Sequence, residues 1–169
     1  MSIDYKEFEM LLRSFEKTQR SYDKFLHQFL TQMGLRVLGK TKARTPRDLG
    51  AGGGLVSRWE LTNVYRDGDD LCIDLFNPLE YASFVEDGHM QHKRFLPLSV
   101  IEARPTPHGR KFVASVRAKY GPKVKGVMLK EKWIPGHHMA RVSLNEVNKE
   151  IPARYKKAFE EFLKSLGAV

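Results

Sequence analysis

A chain of 169 residues with 41% hydrophobic and 29% charged side chains can fold as one domain around its own core. It has no run approaching the ~20 apolar residues that would span a bilayer. Its single cysteine, Cys72, excludes an internal disulfide and a thiolate metal cluster. The opening MSIDYKEFEMLL has no basic lead-in to an apolar stretch, so no secretory signal is expected. These features predict a soluble protein of a reducing compartment. The net charge of +9 is concentrated in one place: residues 91–132 hold eleven Lys or Arg against Glu102 and Glu131, and the remaining charges cancel. Such a block predicts a polyanionic neighbour or an acidic protein surface.

The predicted class is α+β, a single domain over 1–169 with a basic arm or insertion at 91–132. A long N-terminal helix comes first. Phe8, Leu11, Leu12, Phe15, Tyr22, Phe25, Leu26, Phe29, Leu30, Met33, Val37 and Leu38 recur at spacings of three and four. Asp4 and Glu7 fit a capping box at its start, and Thr45-Pro46 ends it, because the residue before proline is driven out of the helical region.

After the glycine-rich stretch 45–54, an antiparallel hairpin is expected. Its arms are 58–66 and 71–76, joined at Asp67-Gly68. Asn77-Pro78 closes the second arm. A short helix follows, with Tyr81, Phe84 and Val85 on its buried side and Gly88 ending it. The basic segment, with KFVASVRAKY and KVKGVMLKEKWI on either side of Gly121-Pro122, reads as a long exposed hairpin or extended arm. A C-terminal helix follows, with Ser143 and Glu146 as its capping box and a kink or restart at Pro152.

Residues 34–41, GLRVLGKT, satisfy the phosphate-loop pattern G-x-x-x-x-G-K-[ST] letter for letter. A working loop needs a buried strand before it, amides free to surround phosphate, and a helix beginning at Lys-Thr. Here Met33, Val37 and Leu38 carry the helical stripe straight through, and Pro46 stops any helix starting at Thr41 within about one turn. The match is read as accidental, and Asp74 as a solvent-facing hairpin residue rather than a magnesium ligand. His89, His92, His137 and His138 read as surface or hydrogen-bonded histidines, and no serine lies in a nucleophile elbow. No cofactor, metal or enzymatic activity is expected.

Three stretches appear in order: ARTPRDLG at 43–50 with Leu55 and Ser57 behind it, YASFVEDGH at 81–89, and IPGHHM at 134–139. Together they resemble the tail-component family of tailed bacteriophages and prophages, whose members act at the head–tail joint as tail-completion or neck proteins. The likeness spans most of the chain. It departs from the family pattern at the AGGG widening after Gly50, in the insertion at 91–132, and at His138, where an aromatic is usual.

The resemblance implies a virion protein, made in the bacterial host cytoplasm. It would form a homo-oligomeric ring, with six subunits as the expected number, on tail-tube or head-connector proteins around the DNA channel. Thr45 and Asp48 would fix a turn, with Pro46 beside them, and Gly50 and Gly88 would supply positive φ. Tyr81 would pack on the sheet and leave Glu86 available to a neighbouring subunit. Lys111, Arg117, Lys119, Lys123 and Lys125 would clasp the next subunit or line the lumen near DNA. The rival readings are a nucleic-acid-binding module using the basic arm and, more remotely, a nucleotide-binding enzyme through Gly34–Thr41.

Overall fold

A computed structural model describes residues 5–47, 54–103 and 107–166. The elements follow in chain order: α1 (Tyr5–Arg44), α2 (Gly54–Ser57), β1 (Glu60–Leu61), β2 (Tyr65–Asp67), β3 (Asp70–Cys72), β4 (Leu75–Phe76), α3 (Ala82–Asp87), β5 (Gly88–Gln91), β6 (Arg94–Pro97), α4 (Leu98–Ala103), α5 (Pro107–Tyr120), β7 (Gly126–Leu129), β8 (Lys132–Pro135) and α6 (Met139–Ser165). The class is α+β, with β1–β4, β2–β3, β5–β8 and β6–β7 as two-stranded pairs. Among the described residues no helix is long and apolar enough to cross a membrane. The chain divides into two compact units. One comprises Met1–Gly39, Leu61–Leu75 and Ser143–Val169; the other comprises Lys40–Glu60 and Phe76–Val142.

In the first unit α1 and α6 run antiparallel along an apolar seam. Met33, Val37 and Val147 are buried there, with Phe29, Leu75 and Ile151 packed against them. Farther along, Tyr22, Phe25, Phe29, Tyr155, Phe159 and Phe162 form a ring cluster, with the Phe25 and Phe162 centroids 4.8 Å apart. Arg36 Nε of α1 reaches Glu150 of α6 at 2.6 Å, tying the two helices at their polar margin, and Arg154 one turn along α6 holds the same carboxylate at 2.9 Å. The six-ring cluster extends the seam that the period of three and four predicts, whereas Leu12 and Phe15 of the predicted stripe are exposed. Asp4 lies outside the described residues, and so does the proposed start cap.

The hairpin forms as predicted, pairing Tyr65 with Cys72, Arg66 with Leu71 and Asp67 with Asp70, and Gly68 takes φ 60° in the turn. One of its faces turns toward α1: Arg66 pairs with Asp23, and Ile73 packs on Gly34. A Cβ on Gly34 would come within 2.7 Å of Ile73 Cδ1, so the first glycine of GLRVLGKT is a packing notch. The whole of 34–41 is helical and Thr41 is fully buried. Its amides are engaged within a helix rather than arrayed around a loop, which leaves no phosphate cradle. Gly39, the second glycine of the pattern, is exposed and has open space around its Cα. Gly39→Ala is therefore expected to raise stability by about 0.8 kcal/mol through helix propensity alone. Chemical denaturation checks this, since a loop glycine at that position would lose stability instead.

In the second unit, β5 and β6 face β8 and β7. Gly88 to Gln91 pair with Pro135 to Lys132, and Arg94 to Pro97 pair with Leu129 to Gly126. Both four-pair ladders keep one register across a two-residue gap on each strand, and together they make an antiparallel ribbon over 88–97 and 126–135. The ribbon's far end carries α4 and α5, whose Leu98, Val113 and Val116 are buried with Ile101, Val124 and Val127 against them.

Three expectations are corrected. KFVASVRAKY is not a hairpin strand: Pro107 opens α5, where its missing N–H costs nothing, and Val113 and Val116 fall on one helical face. The extended part of the arm is the ribbon, and its tip is helical. The C-terminal helix begins at Met139, four residues before the predicted box, and Ser143 is fully buried inside it. The helix also continues through Pro152 without a restart. Finally, α3 and its Gly88 cap (φ 88°) are as predicted, but its inward residues are Ala82 and Val85, while Phe84 is exposed.

Candidate functional site

The predicted motif residues act first as fasteners. Thr45 is buried at the end of α1; its hydroxyl donates to the Thr41 carbonyl (2.7 Å) and accepts from the Trp59 indole N–H (2.9 Å). Pro46 follows it half-buried, while Asp48 and Gly50 lie outside the described residues. Thr45→Val keeps the volume but strands a buried indole N–H, so it is expected to cost about 2 kcal/mol. Tryptophan fluorescence during denaturation reads this directly, because Trp59 is one of two tryptophans.

Residues 81–89 and 134–139, far apart in sequence, meet. His137 N–H donates to the Val85 carbonyl (2.8 Å) and His138 N–H to the Glu86 carbonyl (2.9 Å). The Glu86 carboxylate accepts from the backbone N–H groups of Ala140 (3.1 Å) and Arg141 (3.0 Å). It thus satisfies two orphan donors at the start of α6 and complements the helix dipole. This cap comes from another segment, which is why no local box marks the helix start. His138 takes φ 49°, and its Nδ1 lies 2.7 Å from Arg141 Nη2. Tyr81 is partly exposed, its hydroxyl near the position a side chain on Gly54 would occupy. Among the described residues, no group of three or more His, Cys, Asp and Glu is placed to hold a metal ion.

The predicted basic residues sit on and beyond α5. Lys111, Arg117, Lys119, Lys123 and Lys125 are all exposed. Arg117 pairs with Glu102 at 2.6 Å, and Lys119 Nζ lies 5.4 Å from the Tyr120 ring centroid.

The ribbon adds a surface that the sequence reading misses. Leu96 and Val127 share one of its sides, and Val127 packs on the helical tip. On the opposite side Phe95 and Met128 face each other across the strands, 53% and 57% exposed. Phe95 lies across Gly126, where a Cβ would strike its ring. Lys93 and Lys130 are exposed in the gap between the ladders, and beyond it Gln91 pairs with Lys132. Met90 and Trp133 form a second exposed pair on the other side, 45% and 53% exposed. Residues 88–97, GHMQHKRFLP, show no period-two alternation, so this surface stays hidden until the distant partner strand is known.

In the first unit, the outward side of the hairpin carries Tyr65, Asp67, Asp70, Cys72 and Asp74. The Tyr65 hydroxyl donates to Asp74 Oδ2 at 2.8 Å. That bond raises the Tyr65 phenol above its ordinary value, with desolvation and the charges of Asp74, Cys72 and Asp67 adding. Desolvation raises the Cys72 thiol, with Asp67, Asp70 and Asp74 adding. A phenol whose folded pKa lies above its unfolded one contributes stability below the unfolded value, lost as pH rises through the folded one. An ultraviolet titration should therefore show Tyr65 ionising late, and Asp74→Asn should bring that ionisation back toward the ordinary tyrosine range near 10.

Residues 9–88 match the family described as "Bacteriophage HK97-gp10, putative tail-component". The resemblance to phage tail components holds over that span, which takes in ARTPRDLG and nearly all of YASFVEDGH. The IPGHHM stretch lies beyond it. No curated protein and no solved structure matches the chain.

Proposed function

We propose that this chain, whose residues 9–88 match a phage tail-component family, is a structural subunit of the head–tail joint. It acts as a tail-completion or neck protein that closes into a homo-oligomeric ring on tail-tube or head-connector proteins. It works by recognition, with no chemical step, and its place is the virion, reached from the host cytoplasm during assembly.

The observation that carries this reading is the in-register ribbon. Ten residues of each strand present exposed Phe95, Met128, Met90 and Trp133 among lysines, the kind of surface that a partner protein covers. The motif residues support it indirectly: Glu86, Gly88 and the segment 136–138 lock the ribbon's base to α3 and to the start of α6. The exposed basic residues of α5 and the turn after it favour a second role, contact with DNA phosphates in the channel.

The test is removal of the protein from the phage or prophage that encodes it. Separate filled heads and tails should accumulate, infectious particles should be lost, and complementation should restore both. Mass spectrometry of purified particles should find the chain as a stoichiometric component. Its absence from particles, or normal tailed particles without it, would sink the reading. Reversing Lys119, Lys123 and Lys125 to Glu separates the two roles of the basic residues. Lost DNA retention with intact particles assigns them to the lumen, and failed joining assigns them to subunit contact.

A further inference from the structure

The structure contains two surfaces of matching design and opposite sign. On the ribbon, the apolar pair Phe95 and Met128 is followed on each strand by an exposed lysine, Lys93 and Lys130, in the two-residue gap between the ladders. On the hairpin, a row holding the 41% exposed Tyr65 with Cys72 lies next to a row of two aspartates, Asp67 and Asp70. Like charges placed opposite each other across a strand pair are unfavourable; Asp67 and Asp70 are such a pair, with no basic residue beside them among Tyr65, Cys72 and Asp74. Asp69, in the turn, adds a third carboxylate beside Asp67 and Asp70.

On the hairpin, and at the tip end of the ribbon, the opposite side is already used, whereas nearer the ribbon's base Met90 and Trp133 are exposed on that opposite side. Val127, paired with Leu96, packs on the helical tip, and Arg66 and Ile73 turn from the hairpin toward α1. The lysines and the aspartates are exposed. A phosphate backbone would engage the lysines but leave Phe95 and Met128 in water. A protein surface that brings an aromatic together with carboxylates engages both rows.

We infer that the Phe95/Met128 face of the ribbon, with Lys93 and Lys130, receives the Tyr65/Asp67/Asp70 face of the hairpin of a second copy of this chain. The inference rests on the ring reading above and gives it a specific contact. Each copy offers one such ribbon face and one such hairpin face. The contact is therefore head-to-tail, and repetition closes a ring or extends a filament.

The experiment is sedimentation velocity of the full chain across concentration, at low and high salt, with circular dichroism as the folding control. The parent should self-associate, more weakly as salt rises. Lys93→Glu with Lys130→Glu should weaken association by about tenfold or more, as should Asp67→Lys with Asp70→Lys. Mixing the two double variants, or combining all four changes in one chain, should restore it, because every contact is then complementary again. Phe95→Ser should weaken association without altering its salt dependence.

A parent that stays monomeric at every concentration overturns the contact. So does either double variant associating like the parent, or a four-fold variant that fails to recover. These outcomes are separable from the particle test. A chain found in particles but indifferent to these reversals keeps its tail role and loses this contact; a chain absent from particles whose reversals behave as described does the converse.

Discussion

Gly136→Ala should be among the most damaging single-atom-scale changes in the chain, costing about 3 kcal/mol. A Cβ at that position would run into the Glu86 carbonyl oxygen, the Asp87 carbonyl carbon and the Gly88 nitrogen. All three are backbone atoms at the point where α3 ends and the ribbon begins, and none can rotate aside as a side-chain tip would. On the other strand Gly88 is equally confined: it holds φ 88°, and a Cβ there would stand 2.5 Å from the Ile134 carbonyl oxygen. Relief would require separating the chains, which breaks the bonds from His137 and His138 to Val85 and Glu86 and withdraws the Glu86 carboxylate from α6. Hydrogen exchange should therefore show lost protection at residues 88–91 and 132–141 in this variant. If those amides stay as protected as in the parent, the backbone crossing is not as tight as described.

The second large effect is Phe25→Ala, expected to destabilise the first unit by about 3 kcal/mol. Phe25 sits at the centre of the ring cluster, against Tyr22, Phe29, Tyr155, Phe159 and Phe162, with centroids from 4.8 to 6.2 Å away. Its removal takes away apolar burial and several offset and tilted ring contacts at once. Because α6 supplies three of those partners, the loss falls on the helix–helix seam rather than on one helix. Phe25→Leu should recover most of the burial but not the ring geometry and cost about 1 kcal/mol. Equal losses for the two substitutions, measured by denaturant titration, would mean that stacking rather than volume dominates this seam.

The elements legible in the sequence are those whose determinants are neighbours. The Asp67-Gly68 turn, the stop at Thr45-Pro46 and the Gly88 cap are each written within a few residues, and the structure has all three. The stripe of α1 is legible for the same reason, and it disposes of GLRVLGKT. What escapes is non-local. The strand 88–97 finds its partner at 126–135 only after a 28-residue excursion, so the pairing leaves no hairpin signal at either end. The start of α6 is set by Glu86, more than fifty positions upstream, and the nearby S-x-x-E box draws the eye to the wrong residue. KFVASVRAKY reads as part of an extended arm, although Pro107 ahead of it is a helix opener. Of the candidate site, the motif residues and the surplus of lysines are visible in sequence. The pairing of Phe95 with Met128 is not, because neither residue identifies its partner.

The ribbon has one more consequence, concerning how such a chain can change over time. Pro97 and Gly126 pair at the end of the ladder, so everything from Leu98 to Lys125 leaves and re-enters the body at a single doorway. Segments there can lengthen, shrink or be exchanged without disturbing a residue below the doorway, much as a tool is changed on a fixed handle. Losing one residue within 88–97 or 126–135 is different: it turns every later side chain to the opposite face. Descendants of this chain should therefore tolerate whole inserted modules at the tip far better than a single missing codon in the handle.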